Sequence, residues 1–497
     1  MTKFSELLKN YIHKKNISVS AMAHQLKFDR ANLYKVINGK RNPSSRENAR
    51  HISEYLELTP SEQVEFMEAY RIAEIGPDIY YQRKSALHFL LNSFSSQPSS
   101  FSLEPVAYSK TTSLVDLPDG TVPLYDKAQI HQMLSLICRQ AALSESPNIK
   151  VIAQPDWSYL MSLFQALGHL NANLIIDQII CLNTGDEPKQ AGNILYNISV
   201  FEKIMPLFSC SCSYTPHFYY DKIDSHFNNL QLFPYAIITE DYTLVCSSDI
   251  SHGLLYHQHD VRNLYSGYYQ KQLTQTSELF QKLNVDVMTY IKVTQENLGN
   301  ALETAPCFLM LTDPDMLETI IRIPPELETV FPGSEGRKAF LSALQSHIDK
   351  SNEYTIHADK MIATFSDGAL QYFMETGRVL SYPDELYDPL PPALRLKILQ
   401  RFYDNCDTVR HRLLKGALAH MALGLGILIT NKGGCLLLRN SEDQLIYLPL
   451  KEKTLLSTLN DFVSHLEEEG FLCTMAETKD YLKTVIEKYS KYMGLSH

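Results

Sequence analysis

The sequence predicts a multi-domain protein, in which an all-α N-terminal domain of five helices precedes a larger two-lobed α/β body with an expected internal duplication. Three observations carry this. Up to about residue 74 the apolar side chains recur only at helical spacing, whereas beyond Pro105 strand and helix patterns alternate. Charge divides at the same place: residues 1–60 hold 11 Lys or Arg against 5 Asp or Glu, although the 497-residue chain as a whole carries −11. Beyond residue 60 the balance is therefore −17, so a polyanionic partner would meet the N-terminal end and be repelled by the rest.

Phe4, Leu7, Leu8, Tyr11 and Ile12 define the first helix, over about 4–14. Ser18 can cap a second that buries Met22, Ala23 and Leu26. Asp29 caps a third, with Leu33, Val36 and Ile37 inward, Arg30, Ala31, Asn32, Tyr34 and Lys35 outward, and Asn38-Gly39 as its left-handed end. A fourth starts at Ser45 or Arg46, with Ala49, Ile52, Tyr55 and Leu56 inward. Thr59-Pro60-Ser61-Glu62 opens a fifth that runs to about Ala73. Two short helices joined by a tight turn, the second with a cationic outer face, make a helix-turn-helix.

This segment resembles the Cro/C1-type (XRE family) DNA-binding domain. The resemblance rests on Ala23 at the small position between the helices, Leu26 and Phe28 around the turn, Leu33 and Val36, and the tail Asn38-Gly39-Lys40-Arg41-Asn42-Pro43. It implies that the tail runs beside the DNA backbone, with Lys40 and Arg41 on phosphates. Arg30, Ala31, Asn32, Tyr34 and Lys35 are then the expected base-facing set. Three positions depart from the family pattern: Lys27 stands where a turn glycine is common, Ile37 where glutamate is common, and Val19 where a polar residue often meets the backbone.

Gly76-Pro77-Asp78 breaks the chain, and a helix over about 79–94 follows. Its apolar Tyr80, Leu87, Leu90, Leu91 and Phe94 are expected either to carry a dimer contact or to dock the two parts of the chain, and Ser95 to Ser100 reads as a flexible linker. In the body, Asp126 caps a helix with Ile130, Met133, Leu134, Ile137 and Ala141 on one face. Strands are expected at 149–153 and 173–182, and helices at 156–167, carrying Trp157, and at 193–208. No 34-residue helical period is present, which argues against a tetratricopeptide array. Residues 236–249 align without a gap on 427–440 as strand, turn, strand. Each copy is followed by a helix, one with Val261, Leu264, Tyr265 and Tyr268 as its apolar set and one with Leu455, Leu459, Phe462, Val463 and Leu466. The expected domains are thus 1–74, a connector over 75–105, and lobes over 106–296 and 297–497. Two such lobes also resemble the degenerate phospholipase D-like domains that some regulators use as sensors. The enzymes of that kind need paired H-x-K motifs, and the sole match here, His13-Lys14-Lys15, lies on the first helix.

Other clusters favour ordinary packing. His252, His257, His259 and Asp260 lie close together, but a polar loop before a helix capped by Asp260 explains them, and Cys210 and Cys212 suit buried thiols. His217 to Asp221 and Tyr256, Tyr265, Tyr268 and Tyr269 could line a pocket for a sugar-like or aromatic ligand, or simply fill a core. The glycines at 424, 426, 433 and 434 form no phosphate loop. No catalytic residue, metal ligand or cofactor is assigned. Nine scattered cysteines and the absence of a leading apolar signal segment place the chain in the cytoplasm, and Leu413 to Thr430, interrupted by Lys415 and His420, reads as a buried passage rather than a membrane span. The expected function is a homodimeric transcription regulator bound to a double-stranded DNA operator. Its body would sense a small-molecule effector between the lobes. An enzyme carrying a DNA-binding head, or a protein-interaction platform, are the alternatives.

Overall fold

The computed structural model describes residues 2–94, 120–184, 191–223, 232–284, 287–296, 299–323, 327–357, 363–430, 433–440 and 442–492. The segment expected as a linker, residues 95–100, lies outside these, as do the expected starts of the lobes at 106 and 297. The chain forms two compact units, one within residues 1–85 and the other within 86–497.

The first unit is built from α1 (Lys3–Lys14), α2 (Val19–Gln25), α3 (Arg30–Ile37), α4 (Arg46–Tyr55) and α5 (Pro60–Ile75). Each start is capped as its residues dictate: Ser18, Asp29 and Ser45 accept from the backbone N–H three residues on, and Thr59 and Glu62 form a reciprocal capping box. Phe4, Phe66 and Tyr70 cluster at the centre, with the Phe4 and Phe66 rings 4.8 Å apart. Helix α6 (Pro77–Phe94) serves both units. In the first, Tyr80 and Lys84 bond Glu68 of α5. In the second, Ala86, Phe89, Leu90 and Phe94 are buried in the core, with Leu87 and Leu91 packed against it. Of the apolar side chains named for this helix, Leu87, Leu90, Leu91 and Phe94 thus pack within the second unit.

The second unit contains two sheets that repeat one topology. The first holds β1 (Gly120–Leu124), β2 (Asn148–Ile152), β3 (Ile175–Asn183), β4 (Ser213–Asp221), β5 (Tyr235–Ile238), β6 (Thr243–Cys246), β7 (Gly253–His257) and β8 (Ser277–Glu278), in the order β1-β7-β6-β5-β2-β3-β4-β8. The second holds β9 (Leu283–Asn284), β10 (Asn300–Glu303), β13 (Gly426–Thr430), β14 (Gly433–Arg439) and β15 (Leu445–Leu450), in the order β9-β15-β14-β13-β10. Within the run β1-β7-β6-β5-β2 every neighbour is antiparallel, and so is every neighbour in β9-β15-β14-β13-β10. Next to β2 come the parallel β3 and β4. Next to β10 come the parallel β11 (Ala363–Phe365) and β12 (His411–Leu413), joined to β10 by Thr364, whose hydroxyl accepts from Glu303 N–H and donates to Glu303 C=O. Even the edge recurs: β8 pairs with β4, and Leu472 bridges Leu414 beside β12.

The gapless alignment of the hairpins holds residue by residue. Ala236 pairs with Val245 as Ile427 pairs with Leu436, and Ile238 pairs with Thr243 as Ile429 pairs with Gly434. Helices occupy matching places, α7 (Lys127–Leu143) between β1 and β2 as α11 (Val287–Glu296) between β9 and β10. Likewise α10 (His259–Leu273) follows β7 as α16 (Lys453–Ser464) follows β15. Strand β9 and helix α11, placed in the first lobe by the expected division at residue 296, thereby belong to the second sheet.

The remaining helices fill the faces: α8 (Ser158–Leu170) and α9 (Ala191–Phe208) in the first half, and α12 (Pro314–Ile320), α13 (Gly333–His357), α14 (Asp367–Thr376) and α15 (Pro392–Val409) in the second, with α17 (Met475–Tyr492) packed on α15. Leu436 and Ile427 join the core that holds α16, whereas Cys435, Leu437 and Leu428 join the core that holds Phe340, Phe373 and Phe402. Both faces of the second sheet are buried, which is why its strands read as continuous apolar runs.

Two expectations of side-chain placement are corrected. Trp157 precedes α8 instead of lying within it, and its indole N–H donates to Nε2 of His131 at 3.1 Å. On α10, Leu264 and Tyr268 are 71% and 52% exposed, and the buried residue is Tyr269, at 1%. The helix starts at His259, after Gln258, and Asp260 does not cap it.

Glu303, at the end of β10, pairs in register with Gly426, and its carboxylate finds no hydrogen-bond donor among the described residues. Burial pushes its pKa up to about 7. The folded protein therefore holds a proton that the unfolded chain releases near its ordinary value of 4.5. Stability is greatest below that value and falls as pH rises through 7, by up to about 3 kcal/mol. Chemical unfolding of the body followed from about pH 5 to about pH 8 should show this decline, and Glu303→Gln should flatten it.

Candidate nucleic-acid interface

Helix α3 presents a two-sided surface. Leu33, Val36 and Ile37 are buried, while Arg30, Ala31, Asn32, Tyr34 and Lys35 are exposed along the opposite side. Asp29 fixes the start of the helix, its Oδ1 accepting from Asn32 N–H at 2.8 Å. The Arg30 guanidinium lies 5.7 Å from the centre of the Tyr34 ring, one turn along, so the two largest exposed side chains of this face are held together.

The tail that follows is held at both ends. Gly39, at φ +68°, lets Lys40 N–H return to Lys35 C=O at 2.9 Å, which closes the helix and satisfies a terminal carbonyl. Beyond it, Asn42 Nδ2 donates to Ala73 C=O of α5 at 2.6 Å, and Pro43 is buried. Lys40 and Arg41 lie between these anchors with their side chains exposed. Two cations on a pinned segment beside a polar helix face can hold phosphates while that face meets base edges.

A groove of about 200 Å³ runs between the starts of α3 and α4, bordered by Lys27, Asn32, Arg41, Ser44 and Asn48. Sequence reasoning missed Ser44 and Asn48. Asn48 Nδ2 donates to Ser44 Oγ at 2.7 Å, and Ser45 caps α4 beside them. The signal was the Ser44-Ser45 pair before a helix, which brings backbone N–H groups toward whatever anion lies along the tail.

Lys27 explains its own departure from the family pattern. It closes α2 at φ +53°, the left-handed conformation in which glycine is at ease and a side chain is strained. The conformation demanded of the turn is the same; only the residue that meets it differs.

Residues 7–68 match the Cro/C1-type helix-turn-helix DNA-binding domain. The match covers α2 to α4 whole with most of α1 and α5, so α3 is the second helix of the helix-turn-helix of a DNA-binding domain. No curated protein matches the chain. A crystal structure of polyphosphate kinase from Porphyromonas gingivalis is similar over 74% of this chain and 56% of that one, at 11% identity and a TM-score of 0.21. The chain spans little more than half of that kinase, and a likeness of this size carries no argument about fold or activity. The resemblance of the body to phospholipase D-like domains is not confirmed by these comparisons.

The other clusters singled out from the sequence are dispersed. His257 stacks on Tyr242 with ring centres 4.5 Å apart, His259 Nδ1 is 3.1 Å from Asn263 Nδ2, and His252 Nδ1 is 2.8 Å from Ser251 Oγ. Cys210 and Cys212 are buried together beside Lys282, whose ammonium donates to Cys210 C=O. A hydrogen bond to Cys212, and then burial, raise the Cys210 thiol, while the same bond lowers that of Cys212. Of the tyrosines, Tyr256 and Tyr265 stack on each other, 6.4 Å apart. Among the described residues no helix is long and apolar enough to cross a membrane.

Two outcomes are expected. Arg30→Ala should relax base preference at one operator position and cost about 1–3 kcal/mol on the specific site, while Lys40→Ala should weaken specific and random DNA alike and flatten the salt dependence. Competition titrations at several salt concentrations separate them. Lys27→Gly should raise the first calorimetric transition of the full chain that reports the helical domain, by about 0.5–1 kcal/mol, since glycine removes the left-handed strain.

Proposed function

We propose that the protein is a sequence-specific transcription regulator that binds its operator as a homodimer through the helix-turn-helix, in the cytoplasm. The α/β body acts without catalysis, as a sensor that biases the DNA-binding state. The observation that carries this reading is the recognition helix of residues 30–37, followed by a tail pinned by Lys35 C=O and Ala73 C=O so that Lys40 and Arg41 stay at its edge. The charge division supports it, because the acidic body adds nothing to DNA affinity and leaves contact to the first 60 residues or so.

Dimerisation follows from reach. An eight-residue helix meets few base pairs, and two-fold pairing doubles the sequence that is read. A body with two repeated sheets has the means to respond to a ligand, provided that the ligand binds two arrangements unequally.

Chromosomal binding maps should return one recurring motif with two-fold symmetry and half-sites about 10 base pairs apart. Sedimentation of the full chain on that operator should give two chains per site. A monomer on DNA, or binding with no recurring motif, would overturn the reading.

A further inference from the structure

The turn from α9 to β4 brings two thiols together against one glycine. Cys210 and Cys212 flank Ser211 in that turn, and both are buried, at 0% and 1% exposure. Gly168, in the last turn of α8, makes room for them: a Cβ there would stand 2.5 Å from Cys212 Sγ and 3.1 Å from Cys210 Cβ. The pair lies one residue below the surface, since Ser209 and Ser211 are half-buried while Ser213 and His169 are exposed. Cα atoms two residues apart where a chain turns fall within the span of about 4.4–6.8 Å that a disulfide bridges.

The surroundings treat the two sulfurs differently. Cys210 Sγ lies 3.6 Å from Pro206 C=O, 3.7 Å from Gln165 C=O and 3.6 Å from His169 Nε2, each of which can accept its proton. Cys212 also accepts from Cys210. That bond, with the Lys282 ammonium adding to it, lowers the Cys212 thiol, whereas burial raises those of Cys138, Cys181, Cys246 and Cys435. Lys282 donates to Cys210 C=O at 2.7 Å and makes no ion pair with a carboxylate of the described residues; Glu442 acts on it from farther away. An ammonium beside two thiols stabilises a thiolate and opposes a second cation, which favours redox chemistry over metal binding.

We propose that Cys210 and Cys212 form a reversible redox site, a dithiol that hydrogen peroxide converts to a disulfide. Cys212, as thiolate, attacks one peroxide oxygen; the O–O bond breaks, leaving a sulfenic acid on Cys212 and a hydroxide that takes up a proton to become water. Cys210 Sγ then attacks the Cys212 sulfur and gives up its proton by way of His169 Nε2. The S–O bond breaks, and the hydroxyl leaves with that proton as a second water. Two thiols have lost two electrons and two hydrogens to one peroxide, and a dithiol reductant restores them by exchange. The site also joins the two halves of the body: Cys210 precedes β4 of the first sheet, and Lys282 precedes β9, which pairs with β15 in the second. Closing a ring over Ser211 turns the Cys210 peptide group that Lys282 holds. Use of the disulfide as a signal rests on the sensor reading, with an oxidant in place of an effector between the lobes.

Exposure of the reduced full chain to hydrogen peroxide, followed by alkylation of free thiols and mass spectrometry of the peptide that holds residues 210–212, tests it. That peptide should lose the mass of two hydrogens, and dithiothreitol should restore it. Cys212→Ser should abolish the change, whereas Cys210→Ser should leave a sulfenic acid on Cys212 that dimedone traps. Lys282→Met should slow the oxidation by about threefold for each unit it adds to the Cys212 pKa, since the smaller thiolate fraction is partly offset by greater nucleophilicity. The pH–rate profile should move upward with it, and Lys282→Arg should restore both. A wild-type peptide that keeps both hydrogens while free cysteine in the same solution is oxidised overturns the site, and so do a rate and a profile indifferent to Lys282→Met. Operator titration of the reduced and oxidised chains keeps the two readings apart. Equal affinity in both states ends the regulatory use and leaves the disulfide standing, and absent binding by the reduced chain sinks the regulator alone.

Discussion

A sheet covered on both faces has no side on which to put polar residues, and the body is arranged around that constraint. Strands β13, β14 and β15 send alternate side chains into two separate cores, so Leu436 and Leu437, adjacent in the chain, never share neighbours. Register is then set by the backbone ladder and by fit rather than by a polar–apolar alternation. Gly434 shows how close that fit is: a Cβ there would stand 2.8 Å from Leu428 C=O and 3.1 Å from a methyl of Leu456. A side chain there would collide with the backbone of the neighbouring strand and press on the covering helix.

Much of the helical domain was legible because its signals are local. Ser18, Asp29, Ser45 and Thr59 announce helix starts through bonds that span three residues, and the inward and outward sets of α3 follow from spacing alone. Ser44 and Asn48 were not legible as part of the interface, since only the packing of α4 against α3 brings them beside Arg41. The rotation of α10 was misread for a related reason. Leu264 and Tyr268 are exposed although apolar, while the packed side carries Tyr265, Tyr269 and Leu273 among the polar Arg262 and Ser266, so hydrophobicity alone cannot choose the face. In the body, the repeat was visible only where both copies use apolar hairpins. Lys150 in β2 stands where Asn300 stands in β10, and such pairs share a backbone path without sharing a side chain.

The DNA-facing surface and the body solve opposite problems. Around α3 the cations are exposed and the backbone behind them is fixed at Gly39, Lys40 and Asn42, so little conformational freedom remains to be lost when a duplex arrives. In the body a carboxyl that lacks a partner lies at the end of a strand, Glu303 over Gly426. Fixed exposed charge suits contact with a partner of constant shape. A buried carboxyl without a counterpart marks a place where the free energy of the fold depends on a proton.

The repeated topology also bears on how the chain reaches its native state. Strands β2 and β10 each accept an antiparallel hairpin on the same edge, and the hairpins 235–246 and 426–439 have the same register. One polypeptide thus contains two hairpins of like register for two like-placed strands, which differ in strand length and in side chains. Synthesis from the N-terminus settles the competition by time. Strand β2 can be joined to its own hairpin before residues 426–439 exist, whereas a chain refolded from denaturant meets both donors at once. Vectorial assembly and dilution from urea are therefore different problems for this protein.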